Sequence, residues 1–207
     1  PDLRLQKLTE LVKPKKTVPT TFEFTDIAGI VKGASRGEGL GNKFLSHIRQ
    51  VDAICQVVRC FEDENITHVA GKVDPIADIE TINLELVLAD LESVDKRIAR
   101  VAKIAKTKDK DAVAELAVLE KIKPVLEEGK LARTIEFTDE ELPIVKGLFL
   151  LTTKPMLDIA NISEDDVMEG GHNKYVQLVE DYAAKEDAEV VVICAKIEEE
   201  VAELEEE

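Results

Sequence analysis

The chain has 207 residues, 44% hydrophobic and 34% charged, a balance that reads as a soluble globular protein with a sizeable core. Its formal net charge of −16 opposes DNA binding through bulk electrostatics, and no apolar run approaches the roughly 18 residues of a membrane helix. Three cysteines stand in no metal-binding spacing and the opening residues carry no secretory pattern, so a reducing cytoplasm and a monomer are expected.

Leu3, Leu5, Leu8, Leu11 and Val12 predict a short amphipathic helix, ended by Pro14. Thr17 to Thr25 then alternates apolar and polar residues, with Val18, Phe22 and Phe24 predicting a strand. Directly behind it stands Asp26, followed by half of the ten glycines: Gly29, Gly33, Gly37, Gly39 and Gly41. An Asp at a strand's carboxyl edge can hold Mg2+ through water, and glycines let the backbone reshape around a phosphate. A glycine-rich surface loop would leave the same pattern. Asn42 to Gln50 predicts a helix with Phe44, Leu45 and Ile48 on one face. Ala53 to Cys60 predicts a buried parallel strand, in which Cys55 and Cys60 are expected to be buried free thiols. A polar stretch, Phe61 to Gly71, follows.

From Ile76 the period changes. Leu84, Leu88, Leu91, Val94, Ile98, Val101 and Ala105 recur at steps of three and four, and Ala112, Leu116, Leu119, Ile122 and Leu126 repeat the stripe. With the polar turn Thr107 to Lys110 between them, they predict a helical hairpin whose return helix ends around Pro124 and Gly129. Lys96, Arg97, Arg100, Lys103, Lys106, Lys108 and Lys110 cluster there against one acid, Asp109. They are candidate contacts for RNA or the ribosome; solvated charge on an exposed hairpin gives the same composition. Without aromatic residues among them there is no stacking platform, so sequence-specific reading is not expected. Pro155 to Asn161 and Glu189 to Cys194 then predict strands, with helices at Lys174 to Glu186 and from Ile197 onward. This alternation predicts an α/β fold, a mostly parallel sheet with helices on both faces, interrupted by an antiparallel helical insertion.

In such sheets ligands gather beyond the carboxyl ends of the strands. Asp26 with Gly29, Asn161-Ile162-Ser163-Glu164, and Cys194-Ala195-Lys196 all fall there. Asn-x-x-Glu also opens helices, with Ser163 as a cap. Together the three segments outline a nucleotide pocket, one loop for phosphate and Mg2+ and two framing the base.

Asp26 to Gly29 with its glycine run, Asn42 to His47, Ile66 to Val69, Val73 to Pro75, and Thr153 to Pro155 through Asn161 to Glu164 resemble the YchF family of Obg-like ATPases. The resemblance covers essentially the whole chain and places it in the translation-factor-related class of P-loop NTPases. It implies a nucleotide-binding domain of residues 1–75 and 148–207 with a coiled-coil insertion at 76–147. It also implies a slow, Mg2+-dependent hydrolysis of ATP to ADP and phosphate in a cytoplasmic, ribosome-linked switch, with GTP bound more weakly and neither DNA nor membrane as partner. Asn161, Ile162, Glu164, Cys194, Ala195 and Lys196 would then take the nucleotide, and Asp26 the metal. GTPases of this class read guanine with Asn-Lys-x-Asp; here Ile162 replaces the Lys and Glu164 the Asp. The longer carboxylate displaces the acceptor for the guanine donors, whereas Asn161 and nearby backbone groups suit adenine.

Ile30 stands where many relatives carry the glutamine that orients water, so hydrolysis needs another group. The resemblance favours His68 as that aid, a surface-loop histidine being the alternative; His47 and His172 are expected in structural and turn roles. Two family segments are expected outside these residues: a phosphate loop preceding Pro1 and a ubiquitin-like (TGS) domain. No Gly-Lys-Ser or Gly-Lys-Thr occurs in the chain, so the 207 residues by themselves are expected to hydrolyse ATP negligibly. Asp158 departs from the aromatic residue expected within its strand; a buried carboxylate there needs a partner or a raised pKa.

Overall fold

Three parallel strands organise the computed structural model, which describes residues 3–26, 45, 48–66, 71–186 and 188–204. They are β1 (Ile54–Arg59), β2 (Met156–Asn161) and β3 (Glu189–Ile193), in the order β1-β2-β3. The helices are α1 (Leu3–Val12), α2 (Pro75–Ala105), α3 (Lys110–Glu127), α4 (Leu142–Leu148), α5 (Glu164–Met168), α6 (Lys174–Glu186) and α7 (Ala195–Ala202). Val58, Ala160 and Val192 stand in register, so all three point to one face. There they meet Ile79 of α2 and Val176 and Val179 of α6 in a continuous core. Among the described residues helices cover that face; on the opposite face Val57 and Val191 remain 65% and 45% exposed. Cys55 falls on this open face and is exposed, a correction to its expected burial, while Cys60 is buried as expected.

The hairpin forms where the stripes predict it. Asp74 caps α2 by accepting from the Ala77 N–H (3.2 Å), with Pro75 in the first turn. Asp109 caps α3 in the same way through the Ala112 N–H (2.8 Å). Val87, Val94 and Val101 recur every seven residues, as do Ala112, Leu119 and Leu126, and the two series share one core. Pro124 lies inside α3, not at its end; the stop comes after Glu127, with Gly129 at φ 75°.

One helix thus serves three core clusters. Ile79 of α2 belongs to the sheet, Leu86 and Ala89 pack with Leu45, Ile48, Leu151 and Met156, and Val87, Val94 and Val101 belong to the hairpin. At this crossing Asp90 is fully buried. Its carboxylate accepts from the Leu151 N–H (3.0 Å), the Thr152 N–H (2.7 Å) and the Thr152 hydroxyl (2.7 Å). Arg49 lies 3.6 Å away and also donates to the Phe149 carbonyl (3.1 Å) and Ser93 Oγ (3.0 Å). Burial pushes the Asp90 carboxyl up, against the hydrogen bonds and Arg49, which pull it down.

Thr17 to Thr25 is not a strand. The segment is exposed, Phe22 by 80% and Phe24 by 82%, and pairs with no described strand. Alternation supplies a two-faced pattern, but a strand also needs a neighbouring edge to complete its hydrogen bonds. Of the predicted helix Asn42 to Gln50, four residues are described: Leu45 and Ile48 are helical and buried, and Arg49 and Gln50 form a turn, so the helix ends two residues earlier than expected. No described helix is long and apolar enough to cross a membrane.

Candidate functional site

β2 and β3 end side by side, with Asn161 in register with Ile193. The Ile162 N–H donates to the Ile193 carbonyl (2.8 Å), carrying the ladder one step past the strands. Asn161 Oδ1 then accepts from the Ala195 N–H (2.9 Å) and satisfies an orphan donor in the first turn of α7. The Asn161 amide N–H2 makes no hydrogen bond to a described residue. Ser163 and Asp166 form a reciprocal capping box that starts α5, so Glu164 leaves the first turn of the helix. Its carboxylate forms an exposed ion pair with Lys196 Nζ, and this hydrogen bond raises the Lys196 pKa.

Four of the six expected base-site residues therefore converge: Asn161, Glu164, Ala195 and Lys196. Ile162 and Cys194 are held differently, their side chains being buried in the sheet core. Each lies one residue past a strand end, where the face that points inward is set by the pleat. Asp26 is exposed at the end of the irregular segment that follows α1. Gly29, Ile30, Gly33, Gly37, Gly39, Gly41, His47 and His68 lie outside the described residues. Among the described residues no three His, Cys, Asp or Glu side chains gather in a metal-binding group.

Sequence reading missed the loop beside this edge. Arg59 ends β1 in register with Asn161, and its guanidinium donates to the carbonyls of Phe61 (3.1 Å), Asp63 (3.3 Å) and Ile66 (3.0 Å). Glu62 of the same loop accepts from the Tyr175 hydroxyl and from Lys174 (3.3 Å), which hold its carboxyl below the usual range. Asn173 caps α6 through the N–H groups of Tyr175 (2.9 Å) and Val176 (3.0 Å) while its amide donates to the Cys60 carbonyl (2.7 Å). The available signal was an arginine at the end of a mostly apolar strand, β1.

The basic cluster divides in two. Lys96 pairs with Glu92 and Arg97 with Glu115, so both are neutralised locally. Arg100, Lys103, Lys106, Lys108 and Lys110, toward the turn, make no ion pair with a described residue. An open groove of about 270 Å³ beside the Arg97–Glu115 pair, lined also by Ile144 and Leu148 of α4, lies on the hairpin and not at the strand ends. His172, expected in a turn, lies instead in the loop between the turn at Glu169-Gly170 and α6, its ring 3.0 Å from the Glu180 carboxylate.

A family model described as 50S ribosome-binding GTPase matches residues 5–113. A Bacillus subtilis protein described as ribosome-binding ATPase YchF is 69% identical over 99% of the chain, and its Haemophilus influenzae counterpart 55% identical over all of it. The solved structure of the Schizosaccharomyces pombe YchF GTPase superimposes with a TM-score of 0.82 at 39% identity over the whole chain. The chain spans about 56% of the length of each of these three proteins.

Proposed function

The chain belongs to the 50S ribosome-binding GTPase family, within its YchF group, and on that footing we propose that it is the nucleotide-binding core of a cytoplasmic, translation-linked switch that prefers ATP to GTP. Residues 1–75 and 148–207 form the nucleotide domain in this reading, and 76–147 the inserted coiled coil. The observation that carries the preference is the Glu164–Lys196 ion pair. A carboxylate engaged by an ammonium group is a poor acceptor for the N1–H and N2–H2 donors of guanine, and freeing it costs the pair. The Asn161 amide, fixed through Ala195, still offers a donor to an adenine ring nitrogen. Asp26 fits Mg2+ held through water, since Mg2+ keeps most of its hydration and needs few protein ligands. When bound, the ion would neutralise charge on the phosphates. His68 is the candidate aid to hydrolysis, which remains slow because Ile30 cannot orient water. The 207 residues by themselves, holding no phosphate-loop lysine, turn over ATP negligibly.

Titration calorimetry of the full-length protein with Mg-ATP and Mg-GTP tests the preference. ATP is expected to bind about tenfold more tightly, a difference near 1.4 kcal/mol. Equal affinities would overturn the roles given to Asn161 and Glu164.

A second reading is favoured by the five cations toward the hairpin turn that form no ion pair with a described residue, a basic patch on a protein of net charge −16. In it the hairpin docks on ribosomal RNA and the nucleotide domain is a scaffold. Reversing Arg100, Lys103 and Lys106 to Glu is then expected to weaken ribosome co-sedimentation and flatten its log–log salt dependence by about three, roughly one per lost phosphate contact. Unchanged binding and slope would sink the docking.

A further inference from the structure

We propose that Arg59 is a positioning residue for the nucleotide site, its guanidinium serving as the template on which the loop from Phe61 to Ile66 is built. The inference rests on the reading of the strand ends as that site and deepens it.

Arg59 and Asn161 are partners in register on adjacent parallel strands, so their side chains leave the same face at the carboxyl edge. Asn161 is tied to Ala195, whereas Arg59 turns to its own loop. Nε reaches the carbonyl of Phe61, Nη2 that of Asp63 and Nη1 that of Ile66, while the guanidinium carbon lies 4.8 Å from the centre of the Phe61 ring. Three carbonyls from six consecutive residues therefore point at one planar cation. A guanidinium presents its five N–H donors in a fixed fork, which a lysine ammonium cannot imitate. Among the described residues the rest of the loop's own bonding is short-range: Asn65 N–H to Asp63 Oδ1 (2.8 Å) and Ile66 N–H to the Asp63 carbonyl (3.2 Å). From outside, Glu62 ties the same loop to Tyr175 and Lys174 at the start of α6.

Nothing in this arrangement serves the hydrophobic core, since Arg59 contacts backbone acceptors and a loop ring. What it fixes is the course of the chain beside Asn161, up to the Ile66 carbonyl, two residues before His68 in the sequence. A lost grip would leave base contacts and fold intact and blur the loop, so its effect belongs on turnover and not on nucleotide affinity.

The test compares full-length wild type with Arg59→Ala, Arg59→Lys and, in parallel, His68→Ala. Readouts are kcat and KM for ATP, amide exchange over residues 61–66, and the melting temperature. Arg59→Ala is expected to lower kcat about tenfold while KM moves by less than about twofold. Exchange over 61–66 should rise, the melting temperature should hold, Arg59→Lys should fail to restore the rate, and added guanidinium ion should restore part of it in Arg59→Ala. A kcat within about twofold of wild type in Arg59→Ala overturns the proposal. So does full activity in Arg59→Lys, unchanged exchange, or a rate loss that merely tracks lower stability. If His68→Ala is fully active while Arg59→Ala is slow, the hydrolytic role of His68 falls and that of Arg59 stands. If wild type shows no ATP turnover, the proposed function falls and the exchange of the 61–66 amides decides for or against the template.

Discussion

Replacing Asp90 with Ala is expected to cost about 3 to 4 kcal/mol of folding stability, a large share of what a domain of this size possesses. Asp90 is fully buried where the sheet layer becomes the hairpin, and its carboxylate serves three donors. Alanine orphans the N–H groups of Leu151 and Thr152 and the Thr152 hydroxyl, at roughly 1 to 3 kcal/mol for each buried group left unsatisfied. It also strips the counter-ion from Arg49, whose side chain is 30% exposed. Against this, the variant no longer buries a carboxylate, whose desolvation is the largest influence raising the Asp90 pKa. That relief is why the expected loss is smaller than the sum of the orphaned groups. Asp90→Asn keeps one acceptor oxygen and should lose about half as much. Urea denaturation followed by circular dichroism measures the series, with wild type above Asn and Asn above Ala. A loss below about 1 kcal/mol for the Ala variant would show that the joint is not held by this carboxylate.

The same joint marks the boundary of what the sequence makes legible. The hairpin is written locally: seven-residue steps in both helices, an Asp at each start and a polar turn between them. The convergence of Asn161, Glu164, Ala195 and Lys196 is legible too, because parallel strands bring successive carboxyl ends to one edge. Asp90 is not, since its acceptor role depends on backbone groups 61 and 62 residues away, which leave no mark on side-chain identity. Arg59 is hidden for the same reason, its partners being carbonyls. Cys55 and Thr17 to Thr25 fail on a second ground: alternation assigns residues to two faces, and only neighbouring elements decide which face is covered or whether an edge is paired. Counting charges on the hairpin likewise included Lys96 and Arg97, because Glu92 and the distant Glu115 cancel them only in the folded protein.

Asp158 is the residue whose removal should strengthen the protein. It lies on the covered face of β2, 2% exposed, in register with Gln56 on β1 and Val190 on β3. Its Oδ1, Gln56 Oε1 and Asn83 Oδ1 are all buried acceptors without a hydrogen-bond donor among the described residues. Burial is the main influence on the carboxyl; Arg133 pulls it down, Glu186 pushes it up, and the result is about 6 instead of 3.8. A folded pKa raised in this way favours the neutral acid in the native state. The contribution to stability is therefore complete below pH 4 and is lost as pH rises through 6. At about 1.4 kcal/mol per pH unit the ceiling on that loss is near 3 kcal/mol, and relaxation around the site reduces it to about 2. Asp158→Asn keeps the shape, cannot ionise and adds an N–H2 donor beside its register partner Gln56, whose Oε1 has no donor among the described residues. The variant is expected to exceed wild type by about 2 kcal/mol at pH 7.5 and to converge on it near pH 4. Urea midpoints at several pH values decide the matter. A gap that stays constant with pH would assign the gain to packing, and a wild type more stable at pH 7.5 would mean that the carboxylate is ionised and well partnered in the folded protein.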